Sequence, residues 1–122
     1  AGRILFVEDE DAVRGIAARL LRQRGYEVIE AADGEEALLL AEEHAGQIDM
    51  MISDVIMPGL DGPSLLKKAR KYLGDAPVMF ISGYAESDFS DLLQDETGVS
   101  FLPKPLDIKT LAERVKQELH AG

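Results

Sequence analysis

The run Met50-Met51-Ile52-Ser53-Asp54, continuing as Val55-Ile56-Met57-Pro58-Gly59-Leu60-Asp61-Gly62-Pro63, decides how this chain folds. Residues 50–53 are short and almost continuously apolar. Continuous rather than alternating hydrophobicity is what a strand covered by helices on both faces requires. Asp61 can cap a new helix, and Pro63 costs no hydrogen bond in its first turn. The stretch therefore reads as a strand, a polar strand end and a helix start. Working outward, the same unit recurs, with strands expected at 4–7, 27–31, 78–81 and 99–102. Short apolar runs alternating with segments of helical period describe βα units around a parallel sheet. Residues 27–31, of mixed character, fit an edge.

The helices carry their own signals. Val13, Ile16, Ala17, Leu20 and Leu21 fall at i, i+3, i+4, i+7 and i+8 and form one stripe. Ile108, Leu111, Ala112, Val115 and Leu119 form another, with Asp107 placed to cap it. Asp33 and Glu36 resemble a capping box ahead of Ala37, Leu40 and Ala41. Gly25, Gly46, Gly74 and Gly98 each follow a helical pattern, where a left-handed residue ends a helix. A further short helix around Phe89, Leu92 and Leu93 has the weakest pattern.

Composition narrows the function classes. The chain has 122 residues, 46% of them hydrophobic, which suits one domain over 1–122 with one core and rules out disorder. It has no cysteine, so disulfides, thiolate metal sites and thiol nucleophiles are excluded. With 13 Lys+Arg against 23 Asp+Glu the net charge is −10, which opposes direct binding of nucleic acid or anionic membranes. No apolar run approaches the ~18 residues of a membrane-spanning helix. A cytoplasmic domain is expected. The start at Ala1-Gly2 has neither an initiator Met nor a signal-peptide pattern, and a regulator in its own right and a piece of a longer protein both remain open.

In an open parallel sheet, ligands bind beyond the carboxyl ends of the strands. Glu8, Asp9 and Glu10 follow the first expected strand, Asp54 the third, Ser82 and Gly83 the fourth, and Lys104 and Pro105 the fifth. Two carboxylates ~4 Å apart repel by about 4 kcal/mol at an effective dielectric of 20, so such a cluster calls for a cation or a proton. Mg²⁺, which prefers one or two carboxylates plus water and phosphate oxygens, suits it, with Mn²⁺ as a substitute. Lys104 adds a compact positive charge and Ser82 a hydroxyl donor, both useful around a transferring phosphoryl group. The chemistry expected is phosphoryl transfer onto a carboxylate, giving an acyl phosphate.

Phe6-Val7-Glu8-Asp9-Glu10, Ser53-Asp54 through Asp61-Gly62, Phe80-Ile81-Ser82-Gly83 and Phe101-Leu102-Pro103-Lys104-Pro105 together resemble response-regulator receiver domains. Four motifs in the right order, each at an expected strand end, cover essentially the whole chain. The resemblance implies a three-layer α/β/α, flavodoxin-like fold whose five-stranded parallel sheet has the order 2-1-3-4-5. It implies that Asp54 is the phosphoacceptor, and that Glu8, Asp9, Asp54 and the Ile56 carbonyl hold the metal. Ser82 would be the switch hydroxyl, Lys104 the positive partner of the phosphoryl group and Phe101 a rotating aromatic. The Lys104-Pro105 peptide is expected to be cis. The output face would be made by the helix around Phe89, the fifth strand and the last helix.

The resemblance also implies a histidine kinase, or its dimerisation domain, as phosphodonor, and a His phosphotransfer protein as a further partner. The domain would be a monomer or a weak phosphorylation-dependent dimer. It would catalyse its own phosphorylation without being a kinase by itself, and the stretch Ile81-Ser82-Gly83-Tyr84-Ala85-Glu86 favours the C-terminal receiver of a hybrid histidine kinase. Ile56 and Tyr84 depart from receivers with polar residues two positions beyond the acceptor and the switch hydroxyl. Neither can orient a hydrolytic water, so slow self-dephosphorylation is expected.

Other classes fit less well. A phosphatase of the haloacid dehalogenase type needs a second Asp where Ile56 stands, an FMN binder needs a phosphate loop where Glu8 to Asp11 would repel phosphate, and no EF-hand loop is present. Bland readings exist for single residues. Asp54 alone would pass as a cap, Glu8 to Asp11 as charge on a helix N-terminus, and Phe101 as plain core. The basic cluster Lys67, Lys68, Arg70 and Lys71 reads as a solvated helix face, and His44 and His120 as structural, which puts the donor histidine elsewhere.

Overall fold

A computed structural model describes residues 2–83, 96 and 98–120. The helix expected around Phe89, Leu92 and Leu93, and Tyr84 with it, lie outside the described residues. Five strands, β1 (Arg3–Val7), β2 (Glu27–Ala31), β3 (Met50–Asp54), β4 (Val78–Ser82) and β5 (Val99–Pro103), form one sheet in the order β2-β1-β3-β4-β5. Every pairing is parallel. The connections contain α1 (Asp11–Gln23), α2 (Gly34–Glu43) and α3 (Gly62–Leu73), and α4 (Ile108–His120) follows β5.

Side chains alternate across a strand, and this splits the apolar material between two cores. Leu5, Val7, Met51, Val78 and Phe80 point toward α2 and α3, where they meet Ala37, Ala41, Leu65, Leu66 and Ala69. Ile4, Phe6, Met50, Ile52, Met79 and Ile81 point the other way, toward Ala17, Leu21, Leu111 and Val115 of α1 and α4. Burial of each such large side chain contributes roughly 1.5–3 kcal/mol, so both faces of the central strands hold the sheet. β2 is an edge, as its mixed sequence suggested, and only its Val28 and Ala31 are buried.

Helix starts follow the capping residues read from sequence. Asp33 Oδ1 accepts from Glu36 N at 2.8 Å, and Glu36 Oε1 accepts in return from Ala32 N at 2.8 Å, one residue before the cap. Asp61 Oδ1 accepts from Ser64 N at 2.8 Å with Pro63 in the first turn. Asp107 Oδ1 accepts from Lys109 N at 3.0 Å and from Thr110 N at 3.3 Å. Strands β3, β4 and β5 each run one residue further than expected, because the ladder continues through Asp54, Ser82 and Pro103. Asp54 and Ser82 are thereby part of the sheet rather than of loops.

The turn from β3 into α3 depends on one close approach. A Cβ on Gly62 would lie 2.6 Å from the Asp54 carbonyl oxygen and 2.8 Å from the Phe80 ring, while Gly62 N donates to Val55 O at 2.8 Å. Gly15, inside α1, has nothing within 4 Å of such a Cβ. Gly62→Ala is expected to destabilise the protein by about 2 kcal/mol through overpacking, and Gly15→Ala to stabilise it by about 0.5–1 kcal/mol through helix propensity. Urea unfolding of the two variants measures both signs.

Candidate functional site

Asp54 ends the central strand with its side chain wholly buried, a placement the apolar run before it enforces. β1 lies beside β3, and the chain leaves β1 through Glu8, which is 3% exposed, and the exposed Asp9. The carboxylates of Glu8, Asp9 and Asp54 all come within 4.8 Å of one another. Glu10 and Asp11 stand outside this group. Glu10 N donates to Glu8 Oε1 at 3.1 Å, and Asp11 pairs with Arg14 at 2.7 Å near the start of α1.

Lys104, just past β5, reaches back with Nζ 3.1 Å from Asp54 Oδ1, its own side chain 46% exposed. The Lys104–Pro105 peptide is cis, and Lys104 N donates to Ser82 O at 3.0 Å. Ser82 is buried at the end of β4, one residue beyond Ile81, the register partner of Asp54. Ile56 is 59% exposed beyond the end of β3. Phe101 is half-buried on β5, opposite Phe80 in register, with the two ring centroids 5.8 Å apart. A cavity of about 210 Å³ opens beside Glu8 and Lys104, walled by Val13, Ile81, Pro105 and Leu106.

The charges are unbalanced without a further cation. Lys104 is one counter-ion for three acids, and neither Asp54 oxygen accepts a well-directed hydrogen bond although both are buried. Burial, followed by the sharing of a proton with Asp54 and the charge on Asp54, pushes the Glu8 carboxyl from its ordinary 4.5 up to about 8. A proton there supplies the donor that Asp54 lacks. Partial burial pulls the Lys104 ammonium down, but Asp54, with Glu8 and Asp9 behind it, outweighs that and holds it above the usual lysine value. An oxygen-only donor set with buried, unsatisfied carboxylate oxygens fits a hard divalent cation such as Mg²⁺.

One supporting residue, Arg14, carried no sequence signal. Arg14 Nη1 donates to the Glu8 carbonyl oxygen at 2.7 Å and its Nε lies 3.4 Å from Glu30 Oε1, which ties the loop after β1 to β2. Nothing in the spacing of Glu8 and Arg14 marks this contact. The pressing of Gly62 against Asp54 is equally a product of the folded turn.

A raised Glu8 pKa sets a pH window. Between pH 4.5 and about 8 the folded state holds a proton that the unfolded state has released, so the stability from this group is complete at the lower end and lost toward the upper. In EDTA, the thermal midpoint of the protein should fall relative to that of Glu8→Gln as pH rises through this window, by about 5 °C or more. Mg²⁺, which binds the ionised form, should reduce the difference. An equal pH dependence of the two proteins would contradict the assignment.

Comparison with known proteins agrees with this geometry. Residues 4–116 match the family model of the response regulator receiver domain. The chain is 50% identical over 116 residues to the sensor kinase CckA of Brucella abortus, a match covering 95% of this chain and 12% of that protein. It is 35% identical over 116 residues to the transcriptional regulatory protein PdtaR of Mycobacterium tuberculosis, covering 93% of this chain and 55% of that protein. The chain thus spans only part of the length of these curated relatives. Among solved structures, the receiver domain from the hybrid histidine kinase CckA is 76% identical with a TM-score of 0.86, over 97% of this chain and 99% of that one. The chemotaxis protein CheY4 of Vibrio cholerae, 28% identical, has the same TM-score over 97% and 98% of the two chains. With its acidic pocket at the carboxyl ends of β1 and β3, the chain belongs to the response regulator receiver domain family of two-component signalling.

Proposed function

We propose that this domain takes a phosphoryl group from a phosphohistidine onto Asp54. The observation that carries this reading is the meeting of Glu8, Asp9 and Asp54 within 4.8 Å, with Lys104 Nζ 3.1 Å from the acceptor carboxylate. An Asp54 oxygen attacks phosphorus, the P–N bond to the imidazole breaks, and the leaving nitrogen takes its proton from solvent. The product is an acyl phosphate on Asp54. Glu8, Asp9, Asp54 and the Ile56 carbonyl would hold Mg²⁺, or Mn²⁺ in its place. When bound, the cation neutralises charge on the phosphoryl oxygens. Lys104 offers one of those oxygens a compact positive charge, and Ser82 offers another a hydroxyl hydrogen bond.

The added charge of roughly −1.5 to −2 falls between groups that already respond to charge. Drawing the Ser82 hydroxyl toward the phosphoryl group changes the room available to Phe101, which turns inward and alters the face of β5 and its flanking helices. A partner is switched only by its different affinity for the two states. The resemblance to sensor kinase receivers supports a histidine kinase dimerisation domain as donor and a His phosphotransfer protein as recipient, with the domain part of a hybrid histidine kinase. The domain would act in the cytoplasm as a monomer or a weak phosphorylation-dependent dimer, without direct nucleic-acid or membrane contact. Among the described residues no helix is long and apolar enough to cross a membrane.

A self-hydrolysing aspartyl-phosphate phosphatase is disfavoured. Its acid/base would stand at Ile56, whose exposed hydrocarbon side chain can neither move a proton nor orient water.

Incubation with acetyl phosphate and Mg²⁺ should add one phosphoryl mass to the intact protein. Asp54→Ala and EDTA should each abolish the gain. A gain in the Asp54→Ala protein would overturn the assignment, and so would failure both to take phosphoryl from a phosphohistidine donor and to bind Mg²⁺ in titration. The same mass measurement followed over time tests the lifetime. Ile56→Asn combined with Tyr84→Glu should speed loss of the phosphoryl group by about tenfold or more through a positioned water, and an unchanged decay would reject this role for the two positions.

A further inference from the structure

On the sheet face opposite α1 and α4, helices α2 and α3 enclose a groove of about 360 Å³. Leu39 and Glu42 of α2 and Lys67, Lys68, Lys71 and Tyr72 of α3 line it. Tyr72 packs partly against the core, while Leu39 and the three lysines are exposed and take no part in the phosphoacceptor site. Leu39 is 67% exposed, while Ala37 and Ala41 of the same helix are fully buried, so α2 carries apolar surface on a side that the core does not cover.

The charge distribution is equally uneven. The chain has a net charge of −10 and six lysines, and three of the six stand here. The negative end of a helix favours bases in its last turn, which accounts for Arg70 and Lys71. Lys67 and Lys68 precede that turn. Among the described residues Lys67, Lys68 and Lys71 enter no ion pair, whereas Arg70 between them bonds to Glu96 at 3.1 Å. Lys71 Nζ lies 5.1 Å from the centre of the Tyr72 ring, so the half-buried aromatic and the cation present one continuous surface. A solvated helix face explains exposed lysines. It does not explain why they frame a leucine and a tyrosine.

We propose that the α2/α3 groove is a docking surface for an acidic amphipathic helix of a protein partner. An apolar side chain of that helix seats on Leu39 and Tyr72, and its carboxylates meet Lys67, Lys68 and Lys71. Helix-in-groove recognition uses this combination of an apolar anchor and flanking charges, and complementary charge sets orientation and association rate. Nucleic acid is a poorer fit, because an extended polyanion meets the net charge of −10 on the rest of the chain, whereas a short helix meets one acid, Glu42, beside three lysines. A bilayer is a poorer fit too, since the apolar surface is small, with Leu39 its one largely exposed side chain. Because the groove and α1 lie on opposite faces of the sheet, its occupant leaves the cavity beside Lys104 open. The inference does not depend on phosphorylation of Asp54.

The probe is a synthetic helical peptide with leucines at i and i+4 and glutamates at the flanking positions, added to the isotope-labelled chain and followed by amide chemical shifts. Saturable shifts are expected at Leu38, Leu39 and Glu42 and at Lys67 to Tyr72. Replacing the peptide glutamates by glutamine, or introducing Lys67→Glu with Lys68→Glu, should each weaken binding at least about tenfold. Leu39→Ser should weaken it without altering the rest of the spectrum, and both variants should still take up phosphoryl as the unaltered chain does. The proposal fails if the shifts are absent from the groove, if they centre on another basic pair such as Arg24 and Lys116, or if the glutamine peptide binds equally well. It fails in favour of a membrane if phosphatidylserine vesicles bind through these lysines and the peptide does not. It fails in favour of self-association if the groove resonances move with protein concentration alone.

Discussion

The repulsion among Glu8, Asp9 and Asp54 is the constraint around which the rest of this structure is arranged. Left in water, such carboxylates would separate. Here the central strand buries Asp54 completely, β1 delivers the other two beside it, and all three stay within 4.8 Å. The apolar packing of two cores pushes against this unfavourable charge. Lys104 offsets part of it, and a proton on Glu8 or a divalent cation must offset the remainder. A site that is electrostatically incomplete by construction is sensitive to whatever charge arrives in it.

Short chains of contacts lead from the site toward the surface. Lys104 is bonded to Ser82 through the backbone, and Phe101, on the strand that leads into Lys104, stacks at a tilt on Phe80, whose ring also lies against the Gly62 turn. Asp54, Gly62, Phe80 and Phe101 are thus successive contacts across β3, β4 and β5. Glu8 is tied in the other direction, by Arg14 to Glu30 on β2. Contacts of this kind thus run from the site toward both edges of the sheet. α2 and α3, by contrast, cover the other core, and the groove they leave open faces away from α1 and α4.

Much of this could be read from the chain alone. The apolar runs ending in Asp54 and Ser82 determined strands buried on both faces, and the stripe from Ile108 determined a helix with one buried side. In the stripe from Val13, by contrast, the structure leaves Ile16 59% exposed and buries Ala18 beside Ala17 and Leu21, because the sheet covers a face turned from the one the spacing predicts. Asp33, Asp61 and Asp107 marked helix starts because a short side-chain oxygen bonds its own neighbourhood. The strand ends were read one residue short at Asp54, Ser82 and Pro103, since the ladder extends through two polar residues and a proline that hydrophobic patterning does not register. The grouping of Glu8, Asp9, Asp54 and Lys104 followed from strand order and from resemblance to receiver domains, and it needed no side-chain geometry.

Tertiary structure decided what depends on distance between residues remote in sequence. No pattern marks Arg14 as the donor to the Glu8 carbonyl, or shows that a Cβ at Gly62 would strike the Asp54 backbone. The raised pKa of Glu8 required knowing that its carboxyl is desolvated and faces a second buried acid. Lys67, Lys68 and Lys71 read as a solvated helix face until α2 set Leu39 beside them. Periodicity and capping are local, so the sequence by itself determined the elements and their buried sides. Desolvation, charge pairing and grooves arise only between elements, and the packed fold alone decided them.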